Sequence, residues 1–190
     1  MRIISGKYRS RLIHPPKGIK VRPTTDKAKE GLFNILANLF DFDTVSILDL
    51  FAGTGSISFE FASRGCPIIH LVEINSRHLA FIEKMIKELE FNQIKPVRTN
   101  VLTFLKTCSY KYDIIFADPP FNLKWIDSIP ELILNSGILK SRGKIILEHP
   151  RNKNYSHLTG FKEERKYGGV HFSMFENIIP HPHKLVTRNP

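Results

Sequence analysis

Residues 46–58 read Ser46-Ile47-Leu48-Asp49-Leu50-Phe51-Ala52-Gly53-Thr54-Gly55-Ser56-Ile57-Ser58. Ile47 to Leu50 has the length and apolar character of a buried strand, and Ala52 to Gly55 is a turn. Ile57, Phe59, Phe61 and Ala62 then recur as the apolar positions of a helix that ends near Gly65. The same strand, turn and helix pattern repeats outward from this stretch. Strands are expected at 68–72, 96–99, 112–117 and 144–148, and helices at 76–91, around Phe104 and Leu105, and at 125–134. Strands alternating with helices define an α/β fold with a mostly parallel sheet. Right-handed crossovers place the C-terminal ends of those strands on one edge, which is where such sheets bind ligands.

The two ends of the chain read differently. Residues 161–167, Gly168-Gly169 and residues 170–179 form the pattern of a C-terminal antiparallel hairpin. Residues 2–13 mix Ile and Leu with Arg and Lys around Ser5-Gly6-Lys7, the pattern of a short N-terminal β-hairpin or arm. Pro15-Pro16 and Arg22-Pro23 keep the following stretch extended. Thr24-Thr25-Asp26 then offers N-cap residues for a helix over 26–40, carried by Leu32, Phe33, Ile35, Leu36, Leu39 and Phe40. The expected organisation is a basic N-terminal arm (1–25), an α/β domain (26–180) and a tail (181–190).

The chain has 190 residues, 42% hydrophobic and 24% charged, which suits one domain and excludes global disorder. The net charge is +10. Between Met1 and Lys29 there are nine Lys or Arg against one acid, Asp26. A basic surface concentrated at one end points to a phosphate polymer as partner. Cys66 and Cys108 form no CxxC pair and read as buried thiols in a reducing compartment. Residues 1–11 carry no apolar leader core, and no apolar run reaches the roughly 20 residues of a membrane span. A cytoplasmic protein without a membrane partner is expected. His181 and His183 read as part of the tail, and no metal site is expected.

Three nucleotide-binding readings compete for the Gly-rich turn. A P-loop needs a Lys before the hydroxyl residue, and Ser56-Ile57 does not supply it. A dinucleotide fingerprint needs a third small residue, for which Ser58 is a weak substitute. An S-adenosylmethionine loop needs an acid at the strand end and Gly-x-Gly in the turn, and Asp49 with Gly53-Thr54-Gly55 supplies both. Glu73, at the end of the next strand, can accept from both hydroxyls of a ribose. That feature is shared by NAD and S-adenosylmethionine sites. Asn100, after the third strand, can pair with an adenine amino group.

Asp118-Pro119-Pro120-Phe121 decides between them. Two prolines stiffen the segment and remove two N–H donors, leaving carbonyls that need outside partners. An acid and an array of acceptors at the ligand edge suit an exocyclic amine, which has two hydrogens to donate. Hydrogen bonds to Asp118 and to the Pro119 carbonyl would localise the amine lone pair and aim it at a methyl donor. Phe121 would stack on the base.

These four residues resemble the [DNS]PP[FYW] motif of amino-group methyltransferases. The opening Arg2-Ile3-Ile4-Ser5-Gly6-Lys7-Tyr8-Arg9 resembles the bacterial small-subunit (16S) ribosomal RNA guanine-N2 methyltransferase family. So do Arg22-Pro23-Thr24-Thr25-Asp26, Glu30 and Leu32-Phe33-Asn34, and the resemblance runs from Arg2 to about Glu176. It implies a Rossmann-like class I methyltransferase with a seven-stranded sheet and S-adenosyl-L-methionine as methyl donor. It implies that Asp49, Phe51, Gly53, Gly55, Glu73 and Asn100 line the cofactor, and that Asp118, Pro119, Pro120 and Phe121 hold a flipped base. The implied substrate is small-subunit ribosomal RNA in an assembled or assembling particle. Arg2, Lys7, Arg9, Arg11 and Arg22 are the candidate phosphate contacts, with Thr24 and Thr25 either capping the helix or touching RNA. The enzyme is expected to be a monomer.

Other readings have discriminating features. A DNA adenine or cytosine amino methyltransferase would share the catalytic motif but calls for a larger target-recognition domain. A non-catalytic RNA-binding assembly factor would have lost Asp118 or the Gly loop, and both are present. An NAD-dependent oxidoreductase leaves the Pro-Pro loop unexplained.

Overall fold

The computed structural model describes residues 1–16, 18 and 24–177. Arg22, the tail 181–190 and the last positions of the expected final strand lie outside the described residues. In chain order the elements are α1 (Asp26–Leu39), β1 (Ser46–Asp49), α2 (Ser56–Ser63), β2 (Ile68–Val72), α3 (Ser76–Glu88) and β3 (Ile94–Val97). They continue with α4 (Val101–Thr107), β4 (Tyr112–Ala117), α5 (Ile129–Ser136), β5 (Leu139–His149), β6 (Phe161–Tyr167) and β7 (Val170–Glu176). The strands form one seven-stranded sheet in the order β3-β2-β1-β4-β5-β7-β6. β1 to β5 are parallel, and β7 runs antiparallel to both β5 and β6. The expected parallel sheet with a C-terminal antiparallel hairpin is the one observed.

Strand alternation builds a core on each face. Ile47, Ile114, Phe116 and Ile146 face one cluster with Phe33 of α1, Phe59 of α2 and Ile82 of α3. Their neighbours Leu48, Ile115, Ala117 and Leu147 face the other, with Phe104 of α4 and Ile133 of α5. A sheet covered on both faces explains why the central strands are apolar at nearly every position.

Element ends depart from the sequence pattern for local reasons. β3 contains Pro96, which an edge strand tolerates because one side of its backbone faces away from the ladder. β5 starts at Leu139 rather than 144: Leu139 pairs with Tyr112 of β4, and after a register irregularity the ladder resumes with Lys144 opposite Ile114. Residues 125–134 are not one helix: a 3-10 turn at Ile126–Ser128 precedes α5, whose first turn holds Pro130. The N-terminal hairpin is reduced to a single antiparallel bridge, Arg2 to Leu12, around a run of turns.

That N-terminal segment is bound into the fold. Ile3 and Ile13 are buried in the same cluster as α1 and α2. Gly6 (φ 84) presses on α2 so closely that a Cβ would lie 1.8 Å from the Ser63 carbonyl oxygen. Glu60 of α2, fully buried, accepts from the Ile4 and Ser5 N–H groups at 2.7 and 3.0 Å. Its carboxylate is also ion-paired with Lys29 (3.4 Å) and Arg64 (2.8 Å). Lys29, counted by sequence among the basic surface, is therefore a buried structural cation. Burial pulls its pKa down, and the Glu60 charge opposes that fall.

Removing Glu60 alone would leave Lys29 buried without its carboxylate and two backbone N–H groups without acceptors. Glu60→Ala is expected to cost about 3–5 kcal/mol. Urea denaturation measures this, and a loss below about 1 kcal/mol would refute the assignment.

Candidate active site

β1 and β4 are adjacent and parallel, with Asp49 opposite Phe116. The loop after β1 and the loop after β4 therefore leave the same sheet edge side by side. The Leu50 N–H donates to the Phe116 carbonyl at 2.9 Å and carries the pairing one residue past β1. This brings together the Gly-rich turn and Asp118-Pro119-Pro120-Phe121.

The Gly-rich turn is shaped by its glycines. Gly55 caps α2 in the left-handed region (φ 79), and its N–H donates to the Ala52 carbonyl at 2.7 Å. A Cβ there would lie 3.0 Å from the Phe59 ring. The next strand joins in through Glu73. Its Oε2 accepts from the Gly53 N–H at 2.8 Å, and its Oε1 accepts from the Asn75 N–H at 2.7 Å. Glu73 thus stands against the turn, as a ribose-binding carboxylate would. Asn100 caps α4, its Oδ1 accepting from the Thr103 N–H at 2.8 Å, and remains exposed at the same edge.

Asp49 is buried at the centre of this arrangement. Its Oδ2 accepts from the Ser58 hydroxyl at 2.7 Å, while its Oδ1 has no hydrogen-bond partner. Burial pushes its carboxyl up to about 7; the Ser58 hydrogen bond opposes this, and the Glu73 charge adds to it. Ser58 was the weak third position of a dinucleotide fingerprint. Here its hydroxyl holds the strand-end acid, a role that sequence spacing did not show.

In the loop after β4 Pro119 is buried, Pro120 exposed, and Asp118 and Phe121 half-buried. The Leu123 N–H donates to the Pro120 carbonyl at 2.9 Å and closes a tight turn. Phe51 of the first loop packs against Trp125 just beyond the second, ring centroids 6.2 Å apart. One aromatic contact therefore spans both loops.

The expected RNA contacts divide. Lys7 and Arg9 are exposed on the N-terminal turn. Arg2 pairs with Asp26 at 3.0 Å and Arg11 with Glu88 at 3.4 Å, so half-exposed acids partly offset both cations. Thr25 caps α1, accepting from the Ala28 N–H. The Thr24 hydroxyl donates to buried Glu148 at 3.0 Å, tying the segment before α1 to the end of β5. Arg22 lies outside the described residues. Sequence reasoning did not single out Glu148, or His78 of α3, whose buried Nδ1 lacks a hydrogen-bond partner and lies 3.6 Å from Glu73. A carboxylate and an imidazole carry no signature until the strands place them.

The class that this sheet and this pair of loops define is the S-adenosylmethionine-dependent methyltransferases. The residues present fit that cofactor. Glu73 is placed beside the turn where a ribose-binding carboxylate would stand, the Gly53 to Gly55 turn admits close approach, and the buried Asp49 Oδ1 and His78 Nδ1 retain hydrogen-bonding capacity.

The chain belongs to the family described as Conserved hypothetical protein 95, whose profile matches residues 1–176. It is 30% identical over 182 residues to the ribosomal RNA small subunit methyltransferase D of Buchnera aphidicola subsp. Baizongia pistaciae, covering 94% of this chain and 92% of that protein. The Escherichia coli (strain K12) protein of the same name is 31% identical over 148 residues, 78% of this chain and 74% of that one. Among solved structures, yhhF from Escherichia coli superposes with a TM-score of 0.80 at 28% identity, covering 93% and 97% of the two chains.

Asp49 yields a pH prediction. Its folded pKa of about 7 lies above its ordinary 3.8, so between these values the native state holds a proton that the unfolded chain releases. Its contribution to stability therefore falls as pH rises through that window. Asp49→Asn stays neutral throughout. The stability of the variant minus that of wild type is expected to increase from about pH 4 to about pH 7, by at most about 1.4 kcal/mol per pH unit. Urea midpoints across that range would show it, and a pH-independent difference would contradict it.

Proposed function

We propose that this protein transfers a methyl group from S-adenosyl-L-methionine to the exocyclic N2 amine of a guanine in small-subunit ribosomal RNA, within an assembled or assembling particle. The observation that carries the reading is the Asp118-Pro119-Pro120-Phe121 loop beside the Gly53 to Gly55 turn at one sheet edge. The names of the relatives support ribosomal RNA as the substrate class. The guanine-N2 assignment rests on the motif resemblance.

Asp49, Phe51, Gly53, Gly55, Glu73 and Asn100 would hold the cofactor, which supplies an electrophilic methyl when bound. A base amine is a poor nucleophile because its lone pair is delocalised into the ring. Asp118 and the Pro119 carbonyl would accept its two hydrogens, localise the lone pair and fix its direction. Phe121 would stack on the base, and Pro120 would keep the loop stiff. After transfer the nitrogen is cationic and sheds its proton readily, so a strong base is not required. A paired base hides its amine, so the enzyme flips its target or takes an unpaired one.

The phosphate backbone would meet the N-terminal face. Lys7 and Arg9 are exposed there, and Arg11 joins Arg77 and Lys84 of α3 along a groove of about 630 Å³. Long-range attraction from a net charge of +10 favours encounter with RNA. Among the described residues no helix is long and apolar enough to cross a membrane. We read the chain as acting in the cytoplasm as a monomer.

The test is methyl transfer from labelled S-adenosylmethionine to small-subunit particles from cells that lack the activity, followed by nucleoside analysis. The expected product is N2-methylguanosine, with a loss of at least about a hundredfold in Asp118→Ala. Label in another nucleoside would overturn the guanine assignment. Absence of transfer to particles or RNA, with cofactor binding intact, would overturn the ribosomal reading.

A further inference from the structure

Three side chains from three neighbouring strands converge on the α5 side of the sheet. His149 ends β5 and lies directly opposite His171 of β7. Glu164 of β6 lies opposite Ser173, two residues on from His171. Side chains two apart share a face, so the register places His149, His171 and Glu164 together. His171 Nδ1 is 2.8 Å and His149 Nε2 is 4.0 Å from Glu164 Oε1. All three atoms lie within 4.8 Å of one another. Both imidazoles are buried, and the carboxylate is the more open side.

The partners around these groups suit ligation. His149 Nδ1 is 3.1 Å from the Pro150 carbonyl, an acceptor that selects the Nδ1–H tautomer. Nε2 then offers a lone pair inward, where the Ser173 hydroxyl approaches to 2.9 Å. A metal-binding histidine commonly has this arrangement, its second nitrogen fixed by a carbonyl. Lys166 holds the other oxygen of Glu164, Oε2, at 3.2 Å, which leaves Oε1 directed at the two rings. Tetrahedral zinc with bonds of about 2.0–2.1 Å needs ligand atoms roughly 3.3 Å apart. The 2.8 and 4.0 Å separations bracket that spacing.

We propose that His149, His171 and Glu164 form a binding site for a zinc-class divalent metal ion at the C-terminal end of β5, beside the strand that leads into the Asp118 to Phe121 loop. Two imidazoles and one carboxylate leave a fourth position for water or the Ser173 hydroxyl. The ion would staple β5, β7 and β6 together where the antiparallel hairpin joins the parallel sheet. His149 lies two residues past Leu147, the partner of Ala117 at the end of β4, so the ion would brace the sheet one strand over from the Asp118 to Phe121 loop.

The experiment uses the full chain, stripped of metal by chelation and dialysis. Zinc is titrated by calorimetry, cobalt(II) is titrated by visible absorption, and the melting temperature is followed with and without zinc. Expected are one ion per chain, a tetrahedral cobalt spectrum and a rise of several degrees in melting temperature. His171→Ala and Glu164→Gln are each expected to weaken zinc binding at least about tenfold while remaining folded. His149 is fully buried, so its variant is not the primary test. His181→Ala with His183→Ala removes the tail histidines as a second source of binding and is expected to leave the signal intact. No stoichiometric binding by wild type, binding unaffected by His171→Ala and Glu164→Gln, or binding lost with the tail histidines would each overturn the proposal.

Discussion

Everything at the ligand edge depends on the parallel pairing of β1 with β4, in register from Ile47 and Ile114 to Asp49 and Phe116. Parallel strands end on the same side, so the loops that follow them must emerge together. A turn that admits close backbone approach and an acid-proline-proline loop thereby become one site, although about 65 residues separate them in sequence. The chemistry of either loop alone is incomplete.

The edge is braced from behind by a buried cluster of charges. Glu60 sits at the junction of α1, α2 and the N-terminal segment, receiving two backbone N–H groups and two cations. Burying one carboxylate with so many donors is tolerable only because each finds the other. The result fixes Met1 to Ile13 against the fold, and Met1 reaches the Gly-rich turn, where its sulfur lies 3.5 Å from the Thr54 hydroxyl. The basic segment is thereby held near the site rather than trailing from it. The same docking uses up part of its charge, through Arg2 with Asp26 and Arg11 with Glu88.

The two acids beside the Gly-rich turn are held differently. Glu73 accepts two backbone N–H groups and lies at the tip of β2. Asp49 lies in the interior with one oxygen satisfied by Ser58, and burial raises its pKa toward neutrality. A carboxylate at a strand tip can bind hydroxyl groups, whereas a buried one acts by shaping the loop that contacts them. One strand over from the loop after β4, buried His149 at the end of β5 faces buried His171 of β7, so strand register gathers further polar groups beside the same edge.

The sequence determined the alternation of strands and helices, the parallel sheet with its antiparallel finish, and the identity of the two loops. Those features are local: apolar periodicity, paired glycines and consecutive prolines constrain the backbone wherever they occur. Thr24-Thr25 was legible as a cap, and Thr25 is one, while the Thr24 contact with Glu148 was not visible in any spacing. Charge was legible only as a sum. Lys29 and Arg9 look alike in the sequence, yet one is buried against Glu60 and the other faces solvent. Ser58, His78, Glu148 and the grouping of His149, Glu164 and His171 were likewise settled by tertiary structure. Each depends on strand register or helix packing between distant segments, and the physical reason is common to all of them. A polar side chain acquires its role from the partners that burial forces on it, and the order of residues along the chain does not specify those partners.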